Sequence, residues 1–509
     1  GFNDGTTYNA YSLFASVEKK FNENHSLNFT SIYTPNRRGK AAPMTREVKD
    51  LKGIAYNEYW GFLNGNKINS RIKEVEEPIL MLNHYWNLTE NTTLNTNMSY
   101  QFGKIGNSRL DFNGGANPSP TYYQYLPSFF ERDGDLVGAY ESRQRFQNDG
   151  QLDWNRIFDA NVTNANNGLN NAYVLYEDRN DDKQLTVNTI LNAEINDNIV
   201  LNGKLEYRRL RSNSFAEVID LLGGNGYLDI NPFAQTQLGQ QNNILTPNRV
   251  VGKGDRFRYN FNLNSDVISG FAQAQFKYKK VDFYGAVNVS RTTHQREGLY
   301  QNGRFQNNSL GKSKKIDFTN YGVKAGATYK VTGRHFLDFN AAYMTQAPTI
   351  RNSFSNSREN NAIVDNLQSE KILSTDFSYI VRSPIITSRL TAYYTNISDA
   401  TEISFYFADG VGGDNTAFVQ EVLSGIEKQH MGIELGIEAQ VTPTIKLKGA
   451  ASVGQYTHDN NPSLILTSDD FDNGFQDFGE ANLKDYKLAG GPQRAYSVGF
   501  EYRDPEYWW

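Results

Sequence analysis

A large antiparallel transmembrane β-barrel, all-β, is the fold this 509-residue sequence predicts. Three observations predict it. Apolar residues recur with a period of two over long stretches. Short and long connections alternate along the chain. No run approaches the ~18 apolar residues that a membrane-spanning helix needs.

The period is clearest in the second half. Met431, Ile433, Leu435, Ile437, Ala439 and Val441 alternate with Gly432, Glu434, Gly436, Glu438 and Gln440, which gives one apolar and one wet face. Ile445 and Leu447 continue the pattern around Lys446 and Lys448. Val323, Ala325, Ala327, Tyr329 and Val331 alternate with polar neighbours, and so do Leu337, Phe339, Ala341 and Tyr343. Near the end Tyr496, Val498, Phe500 and Tyr502 do the same. These stretches run ~9–12 residues, which suits a tilted bilayer crossing. Helices longer than two turns are not expected.

Tight turns fall at Asn22–His25, Thr89–Asn91, Asn196–Asn198, Thr332–Arg334, Thr442–Thr444 and Asp504–Glu506. Long connections fall roughly at 35–77, 103–183, 210–266, 293–317, 346–370, 399–429 and 457–493. Sorting loop length by parity is what outer-membrane barrels do, with short periplasmic turns and long extracellular loops. About fifteen crossings are read from this pattern, whereas bacterial single-chain barrels have an even number. The first crossing (about 10–20) and the last (about 494–503) both head for the short-turn side. The expectation is therefore a partial barrel over 1–509 that lacks at least one strand.

Composition agrees. Net charge is −5, from 51 basic and 56 acidic residues, so a nucleic-acid partner is not expected. Mean hydropathy is −0.62, as a barrel with a wet lumen and polar loops allows. Tyr and Phe number 31 each, enough for aromatic girdles. Tyr329, Tyr343, Tyr394, Tyr502, Trp508 and Trp509 are expected near interface height. There is no cysteine, which argues against a disulfide scaffold or a thiolate zinc site. The chain opens at Gly1-Phe2-Asn3-Asp4 without a signal-like segment.

No catalytic constellation stands out, so neither enzyme activity nor a cofactor is expected. His25, His84, His294, His335, His430 and His458 are scattered, and none pairs with another at metal-ligand spacing. Asp178, Asn180 and Asp182 form a weak calcium candidate, without the turn Gly or the closing Glu of a calcium loop. A solvated loop leading into a strand at Gln184 is the simpler reading. The segment 117–130 gathers Tyr122, Tyr123, Tyr125, Phe129 and Phe130 among prolines, a candidate ligand or partner loop. Around Pro443 the apolar residues are odd-numbered on both arms. An odd-length turn is therefore expected, with Glu438 opposite Lys448 as a lumenal charge pair.

Several segments together resemble TonB-dependent receptors. Tyr321–Tyr329, His335–Tyr343 and Gln346-Ala347-Pro348-Thr349 look like their mid-barrel. Asn366-Leu367-Gln368-Ser369-Glu370 resembles their Asn-Leu-x-x-Glu segment, with Ser369 where Pro is common. Tyr393–Asp399 and Met431–Leu435 resemble the strands that follow. The Pro118-Ser119-Pro120-Thr121-Tyr122-Tyr123 loop and the Arg503–Trp509 ending look like receptors of Bacteroidota. The resemblance implies about twenty-two strands when complete, an N-terminal plug that this chain does not show, and contact with the TonB complex. It also implies active import of a scarce ligand such as a siderophore, oligosaccharide or peptide across the outer membrane. Expected partners are the lipid bilayer and, by analogy, a surface lipoprotein or larger outer-membrane assembly. The alternatives are a non-transporting scaffold barrel in such an assembly and a secreted, aromatic-rich glycan-binding protein.

Overall fold

The computed structural model describes residues 2–234, 236–409, 416–468, 471, 475–503 and 506. Trp508 and Trp509 lie outside them. Among the described residues fifteen long strands follow one another as an antiparallel meander. They are β1 (Leu13–Lys20), β2 (His25–Tyr33), β3 (Ile79–Thr89), β4 (Thr92–Phe112) and β5 (Tyr173–Asn196). Next come β6 (Ile199–Asp220), β7 (Arg256–Lys277), β8 (Val281–Gly298), β9 (Ile316–Lys330) and β10 (His335–Gln346). The last five are β11 (Glu370–Arg382), β12 (Ile386–Asp409), β13 (Thr416–Gln440), β14 (Ile445–His458) and β15 (Arg494–Tyr502). Every ladder joins sequence neighbours, and short strands prolong several of them at the long-loop end. Among the described residues β1 and β15 share no ladder, so the sheet keeps two edges. Edge N–H and C=O groups cannot stay unpaired in hydrocarbon, and those edges require hydrogen-bonding partners there.

Outward and inward faces alternate as the period requires. Val323 and Phe339 are 52% and 49% exposed, the reverse of a soluble core. Leu337, Ala341 and Tyr343 are half-buried, shielded by in-sheet neighbours. Along the far half of β8 the inward face closes over: outward Arg291 is exposed while inward Thr292, His294 and Arg296 are buried. Something therefore fills the lumen at that height. Tyr329 and Tyr502 are exposed, and Tyr343 and Tyr394 half-buried, on the outward face.

Two features differ from the sequence reading. Many strands are far longer than a bilayer crossing, with 24 residues in β5 and 25 in β13. Beyond the bilayer both faces are polar, so the apolar alternation fades while the ladder continues. The long connection read at 399–429 is thus mostly β12 and β13, and the 178–182 segment is strand. Second, the connection between β4 and β5 contains α3 (Leu136–Asp149, 14 residues) and α4 (Trp154–Asn166, 13 residues), both longer than two turns. Each is capped by an aspartate: Asp135 accepts from Gly138 N and Asp153 from Arg156 N.

At the Pro443 turn the ladder pairs Gln440 with Lys446, Ala439 with Leu447 and Glu438 with Lys448, so odd residues meet odd. Glu438 and Lys448 lie opposite each other, but neither takes the other as its ion partner. Lys448 Nζ lies 2.6 Å from Glu501, and Lys446 Nζ 3.6 Å from Glu438. Lys448 faces side-chain-free Gly499 across the β14–β15 ladder, which leaves room for the diagonal reach. The cysteine-free chain permits a direct check of register. Cysteines at Glu438 and Lys448 should oxidise to a disulfide, whereas cysteines at Glu438 and Leu447, on opposite faces, should not. Non-reducing gel mobility distinguishes the two, and cross-linking of the second pair alone would refute the register.

Candidate functional site: the long-loop mouth

The loops at the long-loop end pack inward. Inward-facing Val174, Tyr176, Ala216, Phe257, Tyr259, Phe261 and Leu263 form one buried cluster with Tyr227 and Val251 of the 221–255 loop and Phe354 of the 347–369 loop. Polar anchors hold the 347–369 loop. Arg296 is 2% exposed, donates to Ser309 O, Asn361 Oδ1 and Ser357 O, and stacks over Phe261. His294 Nε2 lies 3.1 Å from Pro348 O. Arg358 reaches Asp178 at 3.5 Å, and Arg109 reaches it at 2.8 Å. Tyr259 Oη donates to Asp178 Oδ1 at 2.5 Å. Asp178 lies on β5 and Arg358 beyond β10, so the sheet curls to bring them together around the lumen. Within the 221–255 loop, burial holds the Asp229 carboxyl above its ordinary range, against hydrogen bonds from Arg258 N and Asn242.

The calcium candidates are placed otherwise than one ion requires. Asp178, Asn180 and Asp182 alternate along β5, each roughly 6.6–6.8 Å from the next. An ion draws its oxygens to about 2.3–2.6 Å. Asp178 is engaged by arginines and Asn180 accepts from Ser214 Oγ. Among the described residues no group of three His, Cys, Asp or Glu could hold a metal. The histidines do contain one pair: His25 Nδ1 lies 3.1 Å from His84 Nε2, and His25 stacks on Trp86. These residues are 59 apart in sequence and meet only through the β2–β3 ladder.

The aromatic loop is brought together. Tyr122 meets Tyr123 and Tyr125 edge-on, with centroids 4.9 and 5.3 Å apart. Tyr123 meets Phe129 at 5.8 Å, and Phe129 meets Phe130 at 5.5 Å. All five rings are half-buried. Their frame is α2 (Pro127–Arg132) packed on α3, where a Cβ at Gly138 would come within 2.6 Å of the Phe130 ring. Burial and the adjacent Tyr123 hold the Tyr122 phenol above its ordinary range, so it stays neutral. Below the rings, Val48 of α1 (Arg46–Lys52), Tyr56, Leu126 and Phe146 form a small core. Leu136, Val137 and Tyr140 of α3 extend this apolar surface, 74%, 70% and 65% exposed. Sequence reading missed them. The available signal was Asp135, a helix cap ahead of an apolar pair.

A family model described as TonB dependent receptor-like, beta-barrel, matches residues 82–508. No curated sequence matches the chain. The copper transporter OprC has a similar structure, with a TM-score of 0.55 at 10% identity over 91% of this chain and 58% of that one. The ferric-catecholate import receptor Fiu from E. coli K12, in its closed form, gives 0.54 at 12% identity over 92% and 62%. P. aeruginosa FpvA, in complex with a heterologous pyoverdine and iron, gives 0.51 at 9% identity over 91% and 52%. At such identities the likeness carries the fold, and this chain spans less than two thirds of each of those chains. The family match over most of the chain, with the meander and the outward apolar face, leads to one conclusion: the chain belongs to the TonB-dependent receptor-like β-barrel family.

Proposed function

We propose that the protein takes part in active import of a scarce ligand, a siderophore, oligosaccharide or peptide, across the outer membrane with energy delivered through TonB. The observation that carries this reading is the filled mouth. The 347–369 loop is pinned into the lumen by Arg296 and by the Arg358–Asp178 contact, and the 221–255 loop packs there through Tyr227 and Val251. A ligand must therefore be captured outside and the mouth opened, which a passive pore does not require. The aromatic surface of Tyr122, Tyr123, Tyr125, Phe129 and Phe130 supports capture, because rings packed edge to face offer large, stiff contact area. The apolar face of Leu136, Val137 and Tyr140 supports a protein partner beside it, such as a surface lipoprotein. The Pro118–Tyr123 segment supports a place among the Bacteroidota receptors. One of the structures named above is a ferric-catecholate import receptor, which makes the siderophore class the first to test.

The test is accumulation of labelled ligands from these three classes by cells making the complete receptor. One class should accumulate, and a protonophore should abolish it. Replacing Tyr123 and Phe129 together by Ala should raise the half-saturating concentration about tenfold, with the maximal rate unchanged. Accumulation insensitive to the protonophore would overturn active import. No accumulation in any class would favour the scaffold role.

A further inference from the structure

We propose that Glu47 and Glu58 are positioning residues of the aromatic surface. From the 35–77 loop they fix how Tyr122, Tyr123, Tyr125, Phe129 and Phe130 stand, and so which ligand that surface accepts. Each engages the chain immediately ahead of a ring pair. Ser119 Oγ donates to Glu58 Oε2 at 2.5 Å, and Thr121 Oγ1, one residue before Tyr122, donates to the same oxygen. Ser128, one residue before Phe129, donates its N–H to Glu47 Oε1 at 2.9 Å and its hydroxyl to Oε2 at 2.7 Å.

The ring segment cannot supply these acceptors itself. α2 begins at Pro127, which has no N–H, and its cap residue Leu126 offers no side-chain acceptor. Ser128 N is thus an orphan donor of that helix, and Glu47 satisfies it from another loop. Pro118 and Pro120 also lack N–H groups, so the hydroxyls of Ser119 and Thr121 do the anchoring between them. The two glutamates are held in turn. Asn57, 0% exposed, accepts from Ala42 N and Tyr59 N and donates to Asp4 O and Lys40 O, which fixes the chain beside Glu58. Glu47 lies in the first turn of α1, which Thr45 caps and which Val48 seats against Tyr56, Leu126 and Phe146. Hydrogen bonds to a charged acceptor are roughly twice as strong as neutral ones. Edge-to-face ring contacts tolerate a range of centroid distances, so the frame sets the shape that the rings present. The proposal rests on the capture role given to these rings.

Hydrogen exchange of amides 117–130 in the complete receptor tests the frame. Half-saturation in the accumulation assay tests acceptance, with a labelled ferric catecholate, oligosaccharide and peptide each offered as probe. Combined Glu47→Ala and Glu58→Ala should accelerate the exchange about tenfold. The same variant should raise the half-saturating concentration of the preferred probe about tenfold, with the maximal rate unchanged. Glu47→Gln with Glu58→Gln keeps acceptor oxygens and should stay within about threefold of wild type in both readouts. From the other side of the contact, Ser119→Ala with Thr121→Val should reproduce the effect of Glu58→Ala and add nothing to it. Heat-dependent gel mobility reports folding of each variant, and the Ser119→Ala, Thr121→Val variant serves if the glutamate pair does not fold. Unchanged exchange in a folded Ala variant, or Gln variants as impaired as Ala, would overturn the proposal. So would faster exchange with unchanged half-saturation, where the Tyr123→Ala, Phe129→Ala variant raises it. Unchanged half-saturation in that ring variant would instead sink the capture reading, and this proposal with it.

Discussion

Asp178→Ala should release the 347–369 loop from the mouth. The carboxylate is 6% exposed and is the shared partner of Arg109, Arg358 and the Tyr259 hydroxyl. Removing it leaves two guanidiniums facing each other without their anion. Arg109 and Arg358 keep 43% and 46% of their side-chain surface exposed, so the loss should cost about 1.5–3 kcal/mol, the range of hydrogen bonds to charged groups. Arg358 is already partly hydrated and gains more water once its loop lifts, so opening the loop relieves the repulsion. Hydrogen exchange of amides in 350–364 should accelerate about 10- to 100-fold, at roughly 1.4 kcal/mol per tenfold. The ladders of β11–β14 should exchange as before. Adding Arg358→Met should restore part of the protection, since contacting residues couple in a double-mutant cycle. Unchanged exchange in the single variant would show that the apolar cluster around Phe354 holds the loop by itself.

The second large effect is expected on the lipid face. Leu435 points outward between Leu390 and Ala451, its ladder partners on β12 and β14. Arginine there must leave its charge in hydrocarbon or bend toward an interface. On barrel lipid faces this costs about 2–4 kcal/mol near the midplane. The neighbouring Glu434 faces the lumen, where Glu434→Arg exchanges one hydrated charge for another, and the cost should stay below about 1 kcal/mol. Urea titration of folding into lipid vesicles reads both. Equal destabilisation by the two variants would mean that the inward and outward faces of β13 have been exchanged.

Much of the fold was legible because a bilayer imposes a strict local rule. Every outward residue within hydrocarbon must be apolar, and side chains alternate, so Met431 to Val441 and Val323 to Val331 reveal strand, face and register without a partner in view. The same parity required Val441 and Ile445 to meet across an odd turn. Above the bilayer the rule lapses. Arg179, Asp181 and Lys183 alternate with equally polar residues, so nothing local marks 178–182 as strand, and only the ladders to β4 and β6 extend β5 through it. The 14 residues of α3 form where the chain has left the membrane and competes with no ladder.

Site assembly lay further from reach. The aromatic loop was visible as composition, because Tyr122 to Phe130 are adjacent in sequence. The Asp178–Arg358 anchor joins residues 180 positions apart, and the His25–His84 pair joins residues 59 apart. Which cation a carboxylate takes was equally undetermined. Register placed Lys448 opposite Glu438, but the space left by Gly499 turned it to Glu501. The sequence by itself determined the faces, the order of the strands and the height of the apolar band, since these follow from period and turn. Only the tertiary structure decided what fills the mouth and who partners whom, because those contacts depend on the curl of the sheet, which no local pattern encodes.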